Sequence, residues 1–204
     1  CGWIQGQDTP YALHMRVGSI LKNRYEIGRS LGYGSFGVTY LAWDRLLRHK
    51  VAIKEYLPSE YATRVAESAD LILPDSENQR AKFERGMTRF HQEAEKLAKL
   101  GHIDGVVYIY DTFEEHNTAY IVMEYLQGQT LASYLEEHGV LSEQETLDLM
   151  LPLLQSLENV HAKGIIHRDI SPDNIFIAED GAGGRKVKLI DFGAARSFRQ
   201  GSAK

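Results

Sequence analysis

Apolar and polar positions change their period several times along the chain, and each change marks an element. From Tyr25 they alternate: Tyr25, Ile27 and Arg29 oppose Glu26, Gly28 and Ser30, running to Leu31, which predicts a strand. After the run Gly32-Tyr33-Gly34-Ser35-Phe36-Gly37, the β-branched and aromatic residues of Val38 to Trp43 predict a second strand. Lys50 to Tyr56 predicts a third, with Val51 and Ile53 on one side and Ala52 and Lys54 on the other. Residues 57–82 carry Pro58 and Pro74 and little period, so they read as a long loop with at most a short helical turn. Phe83 to Leu100 turns helical, with Met87, Phe90, Ala94 and Leu97 in one stripe and Glu95 and Lys99 paired on the other face.

Val106 to Glu114 and Thr118 to Tyr125 read as strands of a hairpin around Glu115-His116-Asn117. The second ends in Val122-Met123-Glu124-Tyr125-Leu126 and breaks into Gln127-Gly128-Gln129. An apolar strand giving way to a glycine-bearing connector suits a hinge between two lobes. Its backbone can pair with a purine edge, with Met123 behind it. Thr130 to His138, closed by Gly139, predicts a short helix. Ser142-x-x-Glu145 is a capping box opening a helix through Leu147, Met150, Leu151, Leu154, Leu157 and Val160. Pro152 should perturb that helix, and Gly164 ends it. Two last strands, Ile175–Ala178 and Val187–Ile190, flank a glycine-rich turn at residues 179–184. No internal repeat or heptad is evident.

Composition narrows the class. The 204 residues are 43% hydrophobic and 25% charged, ordinary for a globular protein. A formal net charge of −5 with no basic block argues against a nucleic-acid surface. No run of about 18 apolar residues appears, so no membrane segment is expected. The single cysteine, Cys1, excludes an intrachain disulfide and suits a reducing, cytoplasmic setting. Residues 1–24 read as a linker, and Cys1-Gly2 is compatible with the tail of an upstream Cys-x-x-Cys zinc ribbon. Starting on Cys1-Gly2-Trp3 rather than Met, the chain reads as a piece of a longer protein.

The candidate chemistry concentrates at His167-Arg168-Asp169-Ile170-Ser171-Pro172-Asp173-Asn174, followed by Asp191-Phe192-Gly193. This run holds a base-capable carboxylate, two oxygen donors for a metal and two basic side chains. Apolar Ile165-Ile166 and Ile175-Phe176-Ile177 anchor its flanks, as a loop holding reactive groups rigidly requires. The glycine run alone is weak, since dinucleotide sites use G-x-G-x-x-G too. A strand after the glycines, where a dinucleotide site needs a helix, predicts a hairpin flap over phosphates instead. Lys54 alone would read as an exposed lysine on a sheet rim. Glu93 borders the apolar stripe of its helix, where a carboxylate is costly unless paired; Lys54 is its natural partner.

In this order the motifs resemble the eukaryotic-like Ser/Thr protein kinase family in its bacterial style, from about Tyr25 to Phe198. The resemblance implies an α+β, two-lobed fold: an antiparallel β-sheet N-lobe with its αC helix over residues 25–126, and an incomplete, mainly helical C-lobe over 127–204. It implies ATP-dependent phosphoryl transfer to a protein Ser or Thr hydroxyl. Gly32, Gly34, Ser35, Phe36 and Gly37 would cover the nucleotide. Ala52, Met123, Glu124, Leu126 and Phe176 would line its base, and Lys54, paired with Glu93, would contact its phosphates. Asn174 and Asp191 would bind Mg²⁺ (or Mn²⁺), and Asp169 would accept the hydroxyl proton. His167 and Phe192 read as packing residues. Arg168 suggests control by phosphorylation, with Ser197 and Ser202 as acceptors. A dimer, regulatory domains and a membrane anchor in the full-length protein stay open.

The chain also departs from that pattern. Ser171 stands where the family usually has a lysine near the γ-phosphate, and the following Pro172 resembles small-molecule kinases of the aminoglycoside type. The stretch between Lys54 and Glu93 is longer than usual, so the helix needs extra packing to seat Glu93. After Asp191-Phe192-Gly193 the chain reaches Lys204 without an Ala-Pro-Glu motif, so the sequence reads as truncated, with apolar surface exposed and a tendency to aggregate. Two alternatives to a protein kinase therefore remain: a nucleotide-binding, pseudokinase-like module and a small-molecule phosphotransferase.

Overall fold

The computed structural model describes residues 14–34, 37–60, 62–64, 71–72, 76–179, 184–193 and 195–197. The chain divides into two compact units, Cys1–Ala94 with Ile109–Tyr125, and Glu95–Tyr108 with Leu126–Lys204.

The first unit is built on one antiparallel sheet. Its strands are β1 (Ile20–Leu21), β2 (Tyr25–Gly34), β3 (Gly37–Asp44), β4 (His49–Tyr56), β7 (Ile109–Glu115) and β8 (Thr118–Glu124), in the order β1-β2-β3-β4-β8-β7. The alternation read from the sequence sets the faces: Ala52 lies opposite Met123 and Lys54 opposite Ile121, so these four share one face. Tyr25, Tyr40, Ile53 and Tyr120 are fully buried. At the entry to β2, Arg24 grips Asp44 with two hydrogen bonds, of 3.0 and 2.7 Å. The Asp44 Oδ1 atom also accepts the N–H groups of Leu46 and Leu47, which closes the turn between β3 and β4. Burial opposes ionisation of Asp44, but Arg24 and the two N–H groups prevail and hold its carboxyl below the ordinary range.

Two segments differ from the sequence reading. Residues 14–24, read as linker, include β1, and Met15 and Leu21 are buried. The expected loop at 57–82 contains a small antiparallel pair, β5 (Thr63–Arg64) with β6 (Leu71–Ile72), and the helix starts earlier than Phe83. That helix, α1, spans Glu77–Leu100 and buries Phe83, Phe90, Ala94 and Leu97. A glycine, Gly86, sits inside it, at a cost of about 1 kcal/mol relative to alanine.

In the second unit, β9 (Gly128–Thr130) leads into α2 (Leu131–His138), with Thr130 as N-cap accepting from the Ser133 N–H. The capping box forms at α3 (Glu143–Ala162): Ser142 accepts from Glu145 N–H, and Glu145 reaches back to Ser142 N–H. The helix continues past Pro152, whose carbonyl accepts the Ser156 hydroxyl at 2.8 Å. Leu149, Leu153, Ser156 and Val160 are buried, while Leu147, Leu151 and Leu154 face outward. The strands β10 (Ile165–Ile166), β11 (Ile175–Glu179), β12 (Arg185–Leu189) and β13 (Arg196–Ser197) follow, with a short 3₁₀ turn at Pro172–Asn174. They form a three-stranded sheet, β12-β11-β9, and a β10-β13 pair.

Candidate active site

The glycine flap of the first unit is a true hairpin, with Tyr33 opposite Val38 and Gly34 opposite Gly37. Its glycines are not equivalent. A side chain at Gly37, which has φ +149°, would strike the Glu55 carbonyl of β4 at 1.8 Å. Gly32 and Gly34 have open space where a Cβ would stand. Ser35 and Phe36 lie outside the described residues, as do Cys1 and Ser202.

Lys54 leaves β4 on the same face as Ala52, which is 6% exposed, and Met123, 8% exposed. The Lys54 ammonium lies 3.5 Å from Glu93 of α1 and 5.9 Å from the Phe90 ring centre. Their side chains are 17% and 9% exposed, so each charge has lost most of its water and leans on the other. Glu124, paired with Val51, ends β8 half-buried.

The reverse face of β4 holds a polar cluster that sequence reasoning missed. Glu55 is fully buried and accepts hydrogen bonds from the Tyr40 and Tyr120 hydroxyls at 2.9 and 2.8 Å and from the Arg64 guanidinium. Burial, then the Glu55 charge, pushes both tyrosines above the ordinary phenol range. Met15 N–H adds a bond to the Tyr40 hydroxyl. The alternation carried the signal: Glu55 falls on the side of Val51 and Ile53, where a lone carboxylate needs a cation.

In the second unit, His167 is buried and its ring lies edge-on to Phe192, with centres 4.4 Å apart. Burial lowers its pKa, against the pull of the Asp191 and Asp169 charges. Its Nδ1 accepts the Asp169 N–H at 3.4 Å. Arg168 between them has φ +70°, a strained geometry for a side-chain-bearing residue. Asn174 ties the loop together: its Nδ2 donates to the Asp169 carbonyl at 3.0 Å and to Asp169 Oδ2 at 2.9 Å. The Asn174 carbonyl accepts from Ile190 N–H at 3.1 Å, next to Asp191. Asp191 Oδ1 accepts from Gly193 N–H at 2.9 Å.

Pro172, with its preset φ, opens the 3₁₀ turn that presents Asn174. Phe176, half-buried on β11, lies between Thr130 and Lys188, and Leu126 opens this unit half-buried. Ser197 is held in the backbone pair with Ile165.

Among the described residues no cluster of three or more His, Cys, Asp or Glu side chains suits a metal. One carboxylate and one amide, Asp191 and Asn174, fit instead a hard divalent ion that takes its remaining oxygens from phosphates and water. The Asn174 bond to Asp169 uses the amide nitrogen, so its oxygen is not spent there.

Known proteins resemble the chain in sequence and in fold. The chain is 38% identical over 181 residues to the serine/threonine-protein kinase PknA of Nostoc sp., covering 87% of this chain and 28% of that one. It is 36% identical to PrkC of Bacillus subtilis, covering 90% and 24%. It thus spans about a quarter of the length of these curated relatives. The solved structure titled "PpkA-294 apo form" matches with a TM-score of 0.81 and 32% identity, over 89% of this chain and 62% of that one. The fold is therefore the expected two-lobed kinase type, with its antiparallel sheet in the first unit and its helical part in the second. The protein kinase domain model matches residues 25–204, and the chain belongs to that family.

Proposed function

We propose that the protein is a Ser/Thr protein kinase that transfers the γ-phosphoryl group of ATP to a hydroxyl of a protein substrate, in the cytoplasm. The part-buried Lys54–Glu93 ion pair carries this reading. A lysine held largely out of water on that face is placed to meet the anionic oxygens of a nucleotide. The open space at Gly32 and Gly34 supports it, since those glycines have no packing reason among the described residues. Bare backbone there suits close approach to phosphates. The kinase N-lobe is assigned to residues 25–126 and the partial C-lobe to 127–204.

Each residue then has a role. Lys54, held by Glu93, neutralises the phosphates. Asn174 and Asp191 would hold Mg²⁺, which screens the charge on the transferred group. Asp169 orients the substrate hydroxyl and takes its proton as the oxygen bonds to phosphorus and the bond to ADP breaks. Asn174 holds both the backbone and the side chain of Asp169, fixing that carboxylate before substrate arrives. Ala52 leaves room for a flat base beside Met123.

The test uses the full-length protein with radiolabelled ATP. Lys54→Ala and Asp191→Ala should each lower phosphoryl transfer to protein by at least about 100-fold. Undiminished transfer by either variant would refute the assignment.

A further inference from the structure

The geometry points to Tyr56 and Gly86 as a positioning pair that sets the register of α1 and so places Glu93 against Lys54. The inference rests on the catalytic reading of Lys54 and deepens it. Lys54 and Tyr56 are two residues apart on β4, so they leave the same face of the sheet. Gly86 and Glu93 are seven apart on α1, so they lie on one helix face two turns apart. The helix thus meets the strand at two points.

At the first point the Tyr56 ring occupies the space a side chain at residue 86 would need: a Cβ there would sit 1.9 Å from its hydroxyl oxygen and 2.8 Å from Cζ. That ring cannot swing away freely. Its hydroxyl donates to the Phe83 carbonyl at 3.2 Å. Its ring packs at a tilt against Phe83 and Phe90, with centres 5.1 and 5.6 Å away. Tyr56 is 3% exposed, and its own carbonyl accepts the buried Thr118 hydroxyl. A glycine in the middle of a 24-residue helix is otherwise a liability; here it is the socket for a fixed ring. One contact alone would let the helix slide or rotate. Two contacts, one steric and one ionic, define both its position and its rotation. The Tyr56 ring thus supplies the extra packing that the long stretch between Lys54 and Glu93 calls for.

Filling the socket should lift α1 and draw Glu93 away from Lys54, and shrinking the ring should restore it. The experiment compares wild type, Gly86→Ala, Tyr56→Leu and the double variant Gly86→Ala/Tyr56→Leu in the full-length protein. The direct readout is zero-length carbodiimide cross-linking of Lys54 to Glu93, scored by mass spectrometry, alongside kcat and the KM for ATP. Gly86→Ala should cut the cross-link and kcat by about tenfold, as small misplacements of catalytic groups do, and the double variant should recover most of both. An unchanged cross-link in Gly86→Ala overturns the proposal. So does a loss that Tyr56→Leu fails to repair, because that marks general damage to the helix. Should wild type transfer no phosphate, the kinase reading fails while the cross-link still decides this one.

Discussion

Replacing Glu93 by glutamine tests how much the ion pair contributes to catalysis. At 3.5 Å, unlike unit charges in surroundings of effective dielectric near 20 attract by about 5 kcal/mol. That figure is gross. Glutamine keeps the shape and still offers a carbonyl dipole, and Lys54, 17% exposed, recovers some hydration when its counter-ion goes. The remainder is about 1.5–3 kcal/mol, equivalent to a fall of about 10- to 150-fold in kcat/KM. The loss belongs in the transition state because an unanchored ammonium must be gathered into place as charge shifts on the phosphates. Steady-state ADP release across an ATP titration measures it, with thermal unfolding confirming that the variant is folded. Glu93→Asp, one methylene shorter, should fall between glutamine and wild type. A Glu93→Gln protein that is folded and within twofold of wild type would refute the reasoning, since the pair would then be only structural.

Two further outcomes follow from the second unit. Ser171→Lys restores a cation two residues after Asp169 and should raise kcat by about threefold or more; an unchanged or lower kcat would show that this position does not face the transferred phosphate. His167 contributes a pH dependence of stability. Burial holds its folded pKa below the ordinary value, so the unfolded chain binds the proton more readily. The stability this His contributes is complete above about pH 6.5 and is lost as pH falls through that value toward the folded pKa. Urea midpoints at pH 7.5 and 5.5 should therefore differ less in His167→Leu than in wild type, and equal differences would refute the assignment.

Much of the site was legible because its residues obey local periods. Alternation on β4 sets only the face of Lys54, whose proposed role comes from the resemblance, while Glu93 is marked by its place at the edge of an apolar helical stripe. The Asp169–Asn174 spacing leaves room for a single tight turn. Where the period fails, legibility ends. Arg64 lies in a stretch that reads as loop, and nothing local to it announces that the chain reverses and places its guanidinium on Glu55. Residues 14–21 read as linker because Met15, Val17, Ile20 and Leu21 follow no sustained period; the burial of Met15 and Leu21 depends on distant partners in the sheet. The early start of α1 was available, since Ser76 with Gln79 three residues later fits the capping-box pattern before Glu77. The run from Glu77 to Lys82, polar but for Ala81, concealed it.

The glycine motif shows why a motif and a site are different objects. As a string, Gly32, Gly34 and Gly37 look like three copies of one requirement, bare backbone near phosphate. In the fold only two of them remain candidates for that role. Gly37 answers to β4: its φ of +149° and the Glu55 carbonyl 1.8 Å from any Cβ require glycine whether or not a nucleotide ever binds. That same carbonyl belongs to the residue between Lys54 and Tyr56. The close approach that excludes a side chain at Gly37 therefore fixes the strand carrying both contacts to α1. Gly37 belongs to the scaffold that carries Lys54, while Gly32 and Gly34 alone keep the bare backbone that the proposed phosphate contact needs.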